Sequence, residues 1–132
     1  MMLDCLILGD SIAVGTQQAR PDCVAYAKVG INSRDWVNQN VSKDLTARAV
    51  IISLGSNDYP NIKTESELLS VRQLVQAERV YWILPAIKPN IQDIVKKVAA
   101  HYGDTVLPIQ HLQPDSVHPT WAGYKAIAQA TR

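Results

Sequence analysis

The sequence predicts an α/β fold in three layers, with a five-stranded parallel sheet sandwiched between helices. Two observations carry this. Apolar runs alternate five times with segments of helical periodicity along 132 residues. Three of the runs also stop at a glycine beside small polar residues, at Gly9-Asp10-Ser11, at Gly30 and at Gly55-Ser56-Asn57-Asp58. That punctuation suits the carboxyl edge of an open sheet, where ligands gather. The length leaves room for one domain, residues 1–132, around one core.

The first strand runs from about Leu3 to Leu8 and delivers Ser11 to the sheet edge. Ile12 to Ala19 forms a short helix broken by Arg20-Pro21-Asp22. Cys23 to Val29 is the second strand, and Asn32 or Ser33 caps a helix bearing Trp36, Val37 and Val41. Ala49 to Leu54, β-branched and apolar throughout, is a central strand covered on both faces. Thr64-Glu65-Ser66-Glu67 has the pattern of a capping box, opening a helix with Leu68, Leu69, Val71, Leu74 and Val75 on its apolar side. Val80 to Leu84 is the fourth strand. Pro89 leads into a helix that Gly103 ends. Thr105 to Ile109 contains Pro108, which has no N–H for a ladder, so this strand belongs at an edge. The last helix spans Pro119 to Thr131, with the proline near its first turn and Trp121, Tyr124, Ile127 and Ala128 at helical spacing.

Charge excludes some functions. Thirteen basic against twelve acidic residues leave no excess to attract nucleic acid or an anionic membrane. Met1-Met2-Leu3-Asp4 lacks a basic leader, and the apolar run after it is too short for a signal or a span, so a soluble, cytoplasmic protein is expected. Cys5 and Cys23 lie in the first two strands and could pair if those are neighbours, but a small buried hydrophobe is the commoner role for such cysteines.

The residues after the strands can meet around one small site. A serine hydroxyl becomes a nucleophile when a base takes its proton, and His118 can do so near neutral pH. Asp115, three residues earlier, can hold the imidazole in the required tautomer. The oxyanion of an acyl-transfer intermediate needs fixed donors, for which the N–H groups of Ser11 and Gly30 and the amide of Asn57 are candidates. Each residue also has a structural reading. Ser11 can cap its helix, Asp10 brace the same turn, Asn57 and Asp58 form a turn before Pro60, and Asp115 cap the last helix. His111 is the rival base, and His101 suits a helix end. Trp36, Trp82 and Trp121 read as packing residues, and Tyr59 as a candidate substrate contact.

Gly9-Asp10-Ser11, Gly30, Gly55-Ser56-Asn57-Asp58 and Asp115-Ser116-Val117-His118-Pro119 together resemble the four motif blocks of the SGNH, or GDSL-type, hydrolases, in order and over nearly the whole chain. The resemblance implies a flavodoxin-like strand order 2-1-3-4-5 and serine esterase chemistry with neither metal nor cofactor. It implies Ser11 as nucleophile, His118 as base, Asp115 as its orienting partner, and Ser11, Gly30 and Asn57 as oxyanion donors. Short connections after the third and fourth strands, Tyr59 to Lys63 and Ala86 to Lys88, suggest an open site for a small acyl ester, acetyl above all, on a carbohydrate or similar carrier. The competing readings are an acyltransferase using the same residues, a noncatalytic carbohydrate-binding module, and a metal-dependent phosphoesterase. The last lacks the expected D-x-H near the start, and Gly9 to Gly15 lacks the G-x-G-x-x-G of a dinucleotide site.

Overall fold

A computed structural model describes residues 2–132. Strands β1 (Leu3–Gly9), β2 (Val24–Ala27), β3 (Leu45–Ser53), β4 (Val75–Ile83) and β5 (Thr105–Leu107) alternate with helices α1 (Ser11–Ala19), α2 (Ser33–Asn40), α3 (Thr64–Leu74), α4 (Pro89–Tyr102) and α5 (Trp121–Ala130). The sheet has the order β2-β1-β3-β4-β5 and is parallel throughout. Fold class and strand order are therefore as expected.

Side chains alternate across the pleat, so each strand feeds two cores. Leu6, Leu8, Val50 and Ile52 meet Trp36, Leu68, Val71, Ile91 and Val95 of α2, α3 and α4. Ile7, Ile51 and Ile83 face the other way, toward Ile12 and Ala13 of α1 and Ile127 of α5. Trp36 and Trp82 are fully buried, as packing residues should be.

Several boundaries differ from the sequence reading. β3 and β4 start earlier than predicted, because Leu45 pairs with Val75 and Ala47 with Ala77. Tertiary pairing thus recruits the polar stretch Gln76 to Arg79, which lacks strand character of its own. Val75 belongs to β4, and α3 passes into it directly at Leu74. The capping box does not form. Thr64 lies inside α3 and donates its hydroxyl to Asp58 at 2.7 Å, while Lys63 at the cap position supplies no side-chain bond. Asn32, rather than Ser33, caps α2 by accepting from Asp35 N–H. β5 stops at Leu107, before Pro108, and α5 begins after Pro119, at a cap made by the Thr120 hydroxyl. Trp121, on the outer face of that first turn, is 55% exposed and is not a core residue.

Cys5 and Cys23 form a disulfide, contrary to the expectation of two free buried thiols. The parallel register explains it: Leu6 lies opposite Val24, so the preceding residues also lie side by side. Among the described residues no helix is long and apolar enough to cross a membrane.

Candidate active site

Ser11 is the first residue of α1, directly after the β1 edge. The turn that places it is tight. Gly9 has φ 142°, and a Cβ there would sit on the Ser53 carbonyl oxygen, so only glycine fits. Asp10 follows, donating its N–H to Ser53 O at 3.0 Å. Its carboxylate caps α1 at Ile12 N–H and accepts from the Ser53 hydroxyl, both at 3.0 Å. Asp10 therefore braces the turn. Burial pushes its carboxyl up to about 6, against the lowering effect of the Ser53 and backbone donors. Among the described residues its second oxygen, Oδ2, is buried without a hydrogen-bond partner.

The loop between β5 and α5 brings the imidazole to this turn. Leu112 and Pro119 form an antiparallel bridge, and Gln113 N–H donates to His118 O at 2.8 Å, so residues 112–119 close into a small hairpin. Asp115 sits at its tip. One carboxylate oxygen accepts from Val117 N–H at 2.9 Å and His118 N–H at 3.0 Å, and the other lies 2.7 Å from His118 Nδ1. The His118 and Val117 amides and the imidazole hold the Asp115 carboxyl down at about 2. A carboxylate only accepts, so Nδ1 carries the ring proton and Nε2 is left as an acceptor. That nitrogen is 2.8 Å from Ser11 Oγ. Ser11, His118 and Asp115 thus form one continuous hydrogen-bonded line.

Two glycines inside helices set this line, and sequence reasoning passed over both. Gly15, one turn after Ser11, lies against the Tyr124 ring, with no room for a Cβ. Gly123 makes the same allowance for Pro119 and the His111 carbonyl. Together they let α5 dock on α1 and the hairpin dock on α5. The signal in the sequence was a glycine in each of two predicted helices, where alanine would be the better helix former.

Gly30 and Asn57 lie on the other side of the sheet edge. Gly30 has φ 80°, and a Cβ there would meet nothing within 4 Å, so the space before it is open. One proton of the Asn57 amide goes to Ile31 O at 3.0 Å, and the amide keeps a second. Asp58 next to it is buried and accepts from Ser33 N–H at 2.8 Å, Ser33 Oγ at 2.5 Å and Thr64 Oγ1 at 2.7 Å. It ties the starts of α2 and α3 together. Lys88 donates to the carbonyls of Ser56 and Asp58, both at 2.8 Å, and so holds the two residues flanking Asn57. The Asp58 partners and Lys88 were not anticipated, since nothing local in the sequence links residues 33, 58, 64 and 88.

The rival histidines stay out of this arrangement. His111 is exposed, and it is its backbone carbonyl that is engaged, by Thr120 N–H. His101 is exposed near the end of α4, edge-on to Tyr102. Tyr59 is 46% exposed beside Asn57, with Arg34 reaching its hydroxyl at 3.1 Å. Among the described residues no three His, Cys, Asp or Glu side chains gather as a metal site would require.

No family model and no curated protein matches the chain. Solved structures do. A GDSL-like lipase from Bacteroides thetaiotaomicron VPI-5482 superposes with a TM-score of 0.66 at 17% identity, over 96% of this chain and 84% of that one. The C-terminal catalytic domain of peptidoglycan O-acetyltransferase A from Streptococcus pneumoniae gives 0.62 at 20% identity, over 98% and 90%. A structure described as an acylhydrolase from Bacteroides fragilis NCTC 9343 gives 0.68 at 20% identity, over 96% and 83%. The fold of this chain is the fold of GDSL-like lipases and acylhydrolases.

Proposed function

We propose that this chain is an SGNH-type serine esterase that releases small acyl groups, acetyl foremost, from a carbohydrate or similar carrier. The observation that carries the proposal is the line from Ser11 Oγ through His118 to Asp115, with steps of 2.8 and 2.7 Å. In this reading His118 Nε2 takes the Ser11 proton as Oγ bonds to the ester carbon. The oxyanion forms toward the N–H groups of Ser11 and Gly30 and the free proton of the Asn57 amide. Ser11 opens α1, so its N–H has no carbonyl one turn earlier to satisfy it. Collapse breaks the bond to the carrier oxygen, which leaves with the proton from His118. Water, deprotonated by the same nitrogen, then attacks the acyl-serine and frees the acid and Ser11.

The openness of the edge supports a small acyl group. Asp115 is exposed, Ser11 and His118 are half-buried, and only residues 84–88 connect β4 to α4. An ester panel of increasing acyl length tests this, run with wild type and Ser11→Ala and with a fluorophosphonate label. Acetate should be the best substrate, and the label should fall on Ser11. A fully active Ser11→Ala protein would overturn the mechanism, and faster turnover of p-nitrophenyl palmitate than of the acetate would overturn the substrate class.

The structural likeness to an O-acetyltransferase domain favours one second reading, acyl transfer to a hydroxyl in place of water. The acyl-serine is common to both. Added alcohols that divert the acyl group to a new ester, at the expense of free acetate, would show transfer.

A further inference from the structure

Asn57 sits in a hydrogen-bonded turn. Asp58 N–H donates to Gly55 O at 3.1 Å, so Ser56 and Asn57 are the two central residues. The common turns of this kind, types I and II, differ by a flip of the central peptide plane, here the plane joining Ser56 to Asn57. The flipped form gives the second central residue a positive φ, which asparagine tolerates better than most side chains. Asn57 does not adopt it, since among the described residues other than glycine only Lys88 and Ser116 have positive φ. The residues of the turn thus permit a flip that the structure does not show.

Lys88 opposes that flip. Its Nζ lies 2.8 Å from Ser56 O, the carbonyl of the central plane itself, and 2.8 Å from Asp58 O beyond Asn57. A flip would turn Ser56 O to the opposite face of the turn and break the first bond. The lysine does this from a costly position. Its φ of 63° and ψ of 81° are left-handed, where glycine is the cheaper residue. A longer side chain persists in such a conformation when its surroundings over-determine it. The Lys88 carbonyl accepts from Ile91 N–H at 2.9 Å and Gln92 N–H at 3.0 Å, so the same residue opens α4. That helix also packs on the turn, because a Cβ at Gly55 would come within 2.7 Å of Ile91 Cγ2. Lys88 therefore reaches the central plane from a fixed base.

We propose that Lys88 is a positioning residue that locks the Ser56–Asn57 peptide plane and thereby keeps the Asn57 amide, bonded to Ile31 O, aimed for the oxyanion. In this role it acts through Asn57 and not on the substrate. The inference rests on the esterase reading for the use of Asn57, but the lock is testable without it.

The experiment measures kcat and KM for p-nitrophenyl acetate, with thermal midpoints, in wild type, Lys88→Met, Lys88→Gly, Asn57→Ala and the double variant Asn57→Ala with Lys88→Met. Lys88→Met keeps the stem and removes the donors. Lys88→Gly also removes them while relieving the left-handed backbone, so that a folding defect in one variant does not hide the result. Both should lower kcat by about 10- to 100-fold at little-changed KM, because a misplaced oxyanion donor weakens only the transition state. Asn57→Ala should lower kcat by about 10²- to 10³-fold, and adding Lys88→Met to it should cost little more. Losses that multiply in the double variant, a raised KM in place of a lowered kcat, or wild-type kcat in both lysine variants would overturn the inference while leaving the esterase intact. If the wild type turns over no acetyl ester, the esterase reading fails and NMR decides the lock alone. The NOE between Ser56 Hα and Asn57 N–H, weak with the plane as it stands and strong once it flips, should rise in Lys88→Gly; an unchanged NOE overturns the lock.

Discussion

Asp115 holds His118 at three points: the imidazole Nδ1 at 2.7 Å, the His118 N–H at 3.0 Å and, through Val117 N–H at 2.9 Å, the turn between them. The carboxylate thus orients both the ring and the backbone that carries it. Asp115→Asn keeps an oxygen for the two amides but turns an N–H toward Nδ1, which favours the wrong tautomer. Esterase kcat should fall by roughly 10³ to 10⁴, with the thermal midpoint little changed. A midpoint loss matching the activity loss would mean that Asp115 only folds the hairpin.

The buried Asp10 makes stability depend on pH. Its carboxyl rises from 3.8 unfolded to about 6 folded, so the folded state binds the extra proton between those values. Its contribution is complete below pH 3.8 and is lost as pH rises through 6, by about 3 kcal/mol on the scale of 1.36 kcal/mol per pKa unit. Asp115 acts oppositely, at lower pH, losing its contribution as pH falls toward 2. Urea denaturation should therefore show stability falling between pH 4 and 6, and Asp10→Asn should flatten that limb. An unchanged slope in the variant would assign the limb elsewhere.

Gly15→Ala tests how the imidazole is placed. The added methyl meets the Tyr124 ring, so α5 must shift away from α1 and carry the hairpin with it. A stability loss of about 1–3 kcal/mol is expected, together with a fall in kcat that Tyr124→Ala should partly reverse by making room. Activity equal to wild type in Gly15→Ala would show that α5 docking does not set the Ser11 to His118 distance.

The Cys5–Cys23 bond closes a short loop at a sequence separation of 18, far from the carboxyl edge of β1. By the chain-entropy relation, reduction or Cys5→Ser with Cys23→Ser should lower stability by about 3 kcal/mol. Esterase activity at low temperature should survive, because Ser11 lies at the other end of the strand. Activity lost at a temperature where the reduced chain is still folded would contradict this.

The hydrogen-bonded line of Ser11, His118 and Asp115 was legible because Ser11 follows a plain apolar strand and the other two lie in the loop between β5 and α5. The topology then brings strand ends to one edge whatever their distance along the chain. What the sequence hid depends on register and side-chain reach. The pairing of Cys5 with Cys23 follows from strand alignment, and Gln76 to Arg79 became strand only because β3 lies beside it. Lys88 and Thr64 reach the Asn57 loop from elements whose local pattern gives no sign of it. Trp121 shows the opposite error, a helical spacing read as core on a turn that faces out.

Asp58 has a mechanical consequence. By clasping Ser33 and Thr64 it welds the segment after Gly30 to the segment after Asn57, while Asp10, Tyr124 and the hairpin weld Ser11 to His118. The sheet edge is therefore divided into two internally hydrogen-bonded blocks, one bearing the Ser11 hydroxyl and the His118 imidazole and one bearing Gly30 and Asn57. In the proposed reaction, a ligand that shifts one block against the other alters the gap between attack and oxyanion anchorage while each block keeps its own hydrogen bonds.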